Sequence, residues 1–246
     1  MHIQILIIEH MKKLLICLSV LLMSLMMFAE QKPLRVLVLG DDPTMLSDAS
    51  KSSVGYAELL QPLFDEAVTV EVQASATLLS ADADALLEPA RKGDVVLLCK
   101  RPVEEIVEDK TLADIYLKQL TAICQAAKKK GAVIVWLTPV CPRYFTAEDV
   151  QVHRLGYYPE VIRRLCKRDE LPLIDAEQLT FDWLTEAGKD ASAEAFVAIE
   201  PASAAAAEKA AREGNLLTQS GAEKVVELIA NALRADKKNP LNKRLR

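Results

Sequence analysis

The chain has 246 residues, a formal net charge of −5, 51% hydrophobic residues and only 5% aromatics, which suits one α/β domain with an aliphatic core plus a leader. The acidic balance, with no basic stripe interleaved with aromatics, excludes the usual electrostatic footprint of a nucleic-acid partner. No unit of about 20–50 residues repeats, which excludes solenoids and propellers.

Lys12 and Lys13 precede an apolar run over residues 14–28, and Ala29 offers a small residue for cleavage. That order predicts a secretory signal peptide over 1–29, with Met11 as an alternative start, and an exported protein, periplasmic or extracellular. The run of about 15 residues is short of the ~20 that span a bilayer, so no membrane is expected after cleavage; an uncleaved anchor is the alternative. Cleavage removes Glu9, Lys12 and Lys13, one acid and two bases, and moves the net charge from −5 to −6.

Strands and helices then alternate. Residues 35–39 form a short apolar strand ending at Gly40, and 55–64 carry helical spacing (Tyr56, Leu59, Leu60, Leu63). Residues 67–72 predict a strand and 78–91 a helix. Residues 94–99 and 132–137 are continuous apolar runs, as expected of strands buried on both faces. Between them, 112–130 form a long amphipathic helix closed by Gly131. Residues 155–168 predict a helix, 171–174 a strand, 176–187 a helix ended by Gly188, and 221–233 the last amphipathic helix. The Ala-rich stretch 203–212 predicts a surface helix. Residues 30–235 are thus one domain, a three-layer α/β/α sandwich around a mostly parallel five-stranded sheet of flavodoxin-like type. Residues 236–246, with Lys237, Lys238, Lys243, Arg244 and Arg246, are expected to form a solvated basic tail.

Cys99, Cys124, Cys141 and Cys166 remain after cleavage. Export permits disulfides, and a Cys99–Cys141 pair after neighbouring strands is one option; free buried thiols are the other. No C-x-x-C occurs, which excludes zinc-ribbon and thioredoxin readings.

Several segments, in order, resemble the SGNH (GDSL) hydrolases, in particular their rhamnogalacturonan acetylesterase-like branch. Residues 36–41 (VLVLGD) resemble the strand entering the G-D-S nucleophile motif, and 93–98 (GDVVLL) the strand before G-x-N-D. Residues 130–140 (KGAVIVWLTPV), then Arg143 and Phe145, residues 155–159 (LGYYP) and residues 171–175 (LPLID) also fit. Gly221-Ala222 follow the place of D-x-x-H. The resemblance implies an extracytoplasmic carbohydrate esterase with a Ser nucleophile, a His base, an Asp that orients the His, and an oxyanion hole of backbone N–H, Gly and Asn.

At each of those positions this chain carries something else. The Ser position reads Asp42, the oxyanion Gly falls at Ala76 or Thr77, the Asn falls near Val103, and D-x-x-H reads Glu213-Gly-Asn-Leu216. The expectation is a non-catalytic relative, with no cofactor and no metal, that keeps a cleft for acidic or acetylated polysaccharide or for a protein partner. The alternative is an active acetyl esterase with a non-standard set, for instance His153 with one of Ser47, Ser50, Ser52 or Ser53. A solvated surface residue is the commoner reading of a lone loop His such as His153. Asp41, Lys100, Arg101, Arg143 and Tyr144 are the candidate binding residues, since charge-assisted bonds and an aromatic face hold acidic sugars. Asp41, Asp42, Glu104, Glu105 and Glu213 are oxygen donors that a Ca²⁺ or Mg²⁺ would use, with solvated loop acids the commoner case.

Overall fold

The structure is a computed structural model, and it describes residues 32–75, 78, 81–102, 110–198 and 216–246. Contacts divide the chain into two units, 1–33 and 34–246, and the second carries the sheet and its helices. The predicted leader and the predicted helix over 203–212 lie outside the described residues.

Five parallel strands make one sheet in the order β2-β1-β3-β4-β5: β1 (Leu34–Gly40), β2 (Val68–Ala74), β3 (Val95–Cys99), β4 (Val133–Leu137) and β5 (Leu173–Ile174). Val36 stands opposite Val95, and Val95 opposite Val133, so the central strands are in step. The period-2 geometry of a strand splits their side chains between two cores. Val36, Val38, Val95, Leu97, Val135 and Leu137 face one side. Leu37, Leu39, Val96, Leu98, Ile134 and Trp136 face the other. Continuous apolar runs are therefore required, because neither face meets water.

The second face is covered by α1 (Ala83–Leu86), α2 (Lys110–Lys130) and α3 (Tyr158–Asp169) through Leu86, Tyr116, Leu120, Ile123, Ile162 and Leu165. The first is covered by α4 (Ala176–Ala191) and α5 (Gln219–Ala235) through Leu184, Ala222, Val225, Ile229 and Leu233. Among the described residues, no helix is long and apolar enough to cross a membrane. Gly131, at φ 73°, closes α2 with bonds from its own N–H to Lys128 O and from Ala132 N to Ala127 O, the left-handed helix stop its position predicts. Gly188, at φ 76° and ψ 175°, is not helical and ends the regular run from Ala176 as its position predicts; a short second helical piece follows it to Ala191.

Two predicted helices are shorter than their spacing implies. Residues 55–64 form two successive 3₁₀ turns, Tyr56–Leu59 and Gln61–Leu63, because Pro62 has no N–H for an α-helical ladder. Among the described residues of 78–91, one α-helical turn forms, Ala83–Leu86, started by the Asp82 side chain on Ala85 N at 2.8 Å; Pro89 follows closely. Tyr56, Leu60, Leu86 and Leu87 are still fully buried, so the apolar spacing reports core contact in either geometry. At the edge of the sheet, the Gln61 side-chain amide bonds both Val68 O, at 3.0 Å, and Val70 N, at 2.8 Å.

The basic tail is not solvated along its length. Leu241 is fully buried and Asn239 nearly so. Leu245 pairs with Phe64 as a β-bridge, Asp65 N donates to Arg244 O at 2.8 Å, and Arg246 N donates to Leu63 O at 2.9 Å. Asn242 Nδ2 caps α5 through Leu233 O at 2.7 Å. The apolar residues of the tail hold it down, Arg244 pairs with Asp65 at 3.8 Å, and Lys237, Lys238, Lys243 and Arg246 stay exposed.

At the amino end of the sheet, Arg35 joins Asp94 (2.6 Å), Glu71 (2.6 Å) and Pro89 O (2.7 Å), which ties β1 to its neighbours. Arg35 holds the Glu71 carboxyl below its ordinary range, helped by Gln73.

Candidate functional site

In a parallel sheet of this kind, ligands bind beyond the carboxyl ends of the strands. At the end of β1 the backbone has no slack. A Cβ on Gly40 would lie 2.5 Å from Met45 Sδ and 2.7 Å from Cys99 O, so the strand exits flush against β3. Asp41 N then donates to Cys99 O at 3.3 Å.

Asp41, Lys100 and Arg101 come together there. Lys100 Nζ lies 3.1 Å from Asp41 Oδ2 and also donates to Arg101 O at 3.1 Å. Arg101 N donates to Asp41 Oδ1 at 2.9 Å, and Arg101 Nε makes an ion-pair contact with that same oxygen at 3.5 Å. The Tyr116 hydroxyl donates to Lys100 O from α2. Lys100 is 3% exposed, so its charge is turned into the fold and meets Asp41 instead of water.

Asp42 is also buried, at 6% exposure. Its Oδ1 accepts Thr44 N at 2.9 Å and the Thr44 hydroxyl at 2.7 Å, a local Asx-type turn. Its Oδ2 accepts Val140 N at 3.2 Å from the loop after β4, and the Cys99 thiol points at it from 3.9 Å. Burial pushes the Asp42 carboxyl up from its ordinary range, against the Thr44 bonds, the Arg101 charge and the Val140 bond, which favour the anion.

Leu216 lies half-buried on the segment entering α5, where its carbonyl accepts Val197 N at 2.8 Å. The next residue, Leu217, is fully buried, and its carbonyl accepts Val54 N at 2.9 Å. Tyr56 N in turn donates to Thr44 O at 3.1 Å, so the Leu216 segment is tied to the loop that carries Asp42. Thr77, Val103 and Glu213, with Ala76, Glu104 and Glu105, lie outside the described residues.

Arg143 and Tyr144 stand in the loop after β4. Arg143 donates to Ser192 Oγ at 3.0 Å and to Lys189 O at 2.5 Å, at the end of α4, and its guanidinium lies 5.4 Å from the Phe145 ring centre. Arg154 lies 4.4 Å over the Tyr144 ring, an attractive cation–π geometry. The predicted binding residues are thus in two sets: Asp41, Lys100 and Arg101 at β1 and β3, and Arg143 and Tyr144 beyond β4. Ser47 bonds Glu58 and Gly55, while Ser50 and Ser53 bond Asp48, so these hydroxyls serve their own loop.

His153 is not the plain solvated residue expected. Its side chain is half exposed, yet Nδ1 bonds the buried Glu177, and its ring stacks on Phe181 at 3.8 Å with 9° between planes. Glu177 is fixed on its other oxygen by Arg163 at 2.5 Å and through its own N–H by Thr138 Oγ1 at 2.8 Å. Arg163 is further held by Asp175 at 2.7 Å through two nitrogens. The ligating atoms of Cys141, His153 and Glu177 all lie within 4.8 Å of one another. Cys141 N is bound by Thr180 Oγ1 at 2.8 Å. Burial, then the Glu177 charge, push the Cys141 thiol up to about 12, so it is neutral and poorly nucleophilic. All four described cysteines are free, so no Cys99–Cys141 bridge forms. Residue spacing carries no hint of this cluster beyond its placement after β4 and β5, where side chains converge at one sheet edge.

No protein-family model matches the chain. It is similar to the rhamnogalacturonan acetylesterase RhgT of Bacillus subtilis (strain 168), with 24% identity over 212 residues covering 82% of this chain and 90% of that protein. Its fold matches the crystal structure of the protein YxiM of Bacillus subtilis with a TM-score of 0.63 at 17% identity. That match covers 85% of this chain and 58% of the other, so the chain spans little more than half of that protein's length. A lipase/acylhydrolase of Enterococcus faecalis aligns more loosely, with a TM-score of 0.46 at 16% identity over 82% of this chain and 96% of that one.

Proposed function

We propose that this chain, whose segments resemble those of the SGNH/GDSL hydrolases in order and whose sequence is similar to a rhamnogalacturonan acetylesterase, is an exported pseudoenzyme that keeps that family's cleft for binding but not its ester chemistry. The observation that carries this reading is Asp42. Ester attack needs a hydroxyl made nucleophilic by an imidazole. Asp42 offers instead a carboxylate that is 6% exposed, with its oxygens engaged by Thr44 and Val140. At Leu216 there is no acceptor for a proton. Loss of a nucleophile or base of this kind typically lowers kcat on the order of 10⁶-fold. A negative charge beside the developing oxyanion opposes the reaction further.

The ligand class follows from the likeness to a rhamnogalacturonan acetylesterase: an acidic or acetylated polysaccharide, met outside the cytoplasm, with Arg143 and Tyr144 as the residues that would face it. The test is p-nitrophenyl acetate hydrolysis by the purified protein beside the Asp42→Ser, Leu216→His double variant. The expected result is no wild-type turnover above buffer. A gain in the double variant would fix residues 42 and 216 as the vacated nucleophile and base positions. Clear wild-type turnover that is lost in His153→Ala would overturn the pseudoenzyme reading and make His153 the base of an active esterase.

A further inference from the structure

We propose that Cys141, His153 and Glu177 form a zinc-binding site. The three donors come from separate places, the start of the loop after β4, its middle, and the first turn of α4, and only the fold brings them together. A thiolate, an imidazole and a carboxylate are the mixed soft-to-borderline set that zinc takes, whereas Ca²⁺ and Mg²⁺ call for oxygen donors throughout.

The surroundings are those of oriented ligands. Glu177 keeps one oxygen on Arg163 and turns the other to His153. The imidazole plane is set by stacking on Phe181. Cys141 is fixed through its N–H by Thr180, and Gln151 Nε2 lies 3.6 Å from its sulfur, a donor placed for a thiolate. Such outer partners fix ligand geometry and basicity in metal sites.

Distances and charge are also compatible. Zinc bonds of about 2.0–2.3 Å in a tetrahedron hold ligand atoms about 3.3–3.8 Å apart. The separations here run from the direct His153–Glu177 hydrogen bond to at most 4.8 Å, so zinc would open the first and close the widest by shifts on the order of 1 Å, which a half-exposed loop histidine can make. With Cys141 as thiolate, the cluster of Cys141, Glu177, Asp175 and Arg163 carries two net negative charges, which one Zn²⁺ neutralises. The exposed side of His153 gives the ion its entry and leaves a fourth position to water.

The full chain, stripped with chelator under reducing conditions, is titrated with zinc by calorimetry and with Co²⁺ by absorption. One zinc per chain is expected, together with a thiolate-to-cobalt charge-transfer band. Cys141→Ser should abolish that band although four other thiols remain. His153→Ala, at a half-exposed site and checked for native circular dichroism, should weaken zinc at least about tenfold. Absence of zinc binding by the native chain, a band that survives Cys141→Ser, or affinity unchanged by His153→Ala would each overturn the proposal.

Discussion

Asp42 is the residue on which the proposed loss of ester chemistry turns, and it is buried at the end of β1. Its carboxyl is raised by burial, so the native state takes up a proton more readily than the unfolded chain does. By linkage, that contribution to stability is fully present below the ordinary aspartate value of 3.8 and is lost as pH rises through the native value. Asn at this position cannot titrate. Asp42→Asn should therefore gain stability relative to the wild type as pH is raised from 3.8 upward, read from urea midpoints across that range. A constant difference at all pH values would mean that the carboxyl does not titrate with folding. The places of Asp42 and Leu216 in the fold were legible in the sequence because each adjoins a strong element, β1 in one case and α5 in the other. The environment of His153 was not, since its partner lies 24 residues away and the contact exists only through tertiary return of the chain.

At the level of elements, what was readable was what burial dictates. The central strands declared themselves by unbroken apolar runs, and α2, α3 and α5 by their stripes. The segments over 55–64 and 78–91 carried the same signal, but i→i+3 turns display those residues to the core nearly as well, and proline chose between the two. One element contact is tight enough to predict from. Gly221 opens α5 where a Cβ would meet Ala195 O at 1.9 Å, on backbone that cannot swing aside. Thr218 caps the same turn with its hydroxyl also donating to Glu194 O at 2.7 Å. Gly221→Ala should destabilise the domain by roughly 3 kcal/mol in chemical denaturation, since overpacking a close contact forces backbone shifts. A cost near zero would show that α5 can slide along its neighbour.

For the whole molecule, the tail is the correction that matters most. Charge made residues 236–246 read as solvated, yet Leu241 fills the core beside α5 and the backbone of 244–246 bonds to the segment before β2. Removing residues 237–246 should cost roughly 3 kcal/mol and lower Tm on the order of 10 °C, from the buried leucine and the lost closing bonds. An unchanged Tm would return the tail to the solvent. The other end of that same closure is Gln61. Its amide occupies the carbonyl of Val68 and the N–H of Val70, two of the groups that an incoming strand would use at the start of β2. A second molecule seeking to extend this sheet from the start of β2 must first evict a group that already belongs to it, so a single glutamine blunts that part of the open edge against the edge-to-edge growth that ends in aggregation.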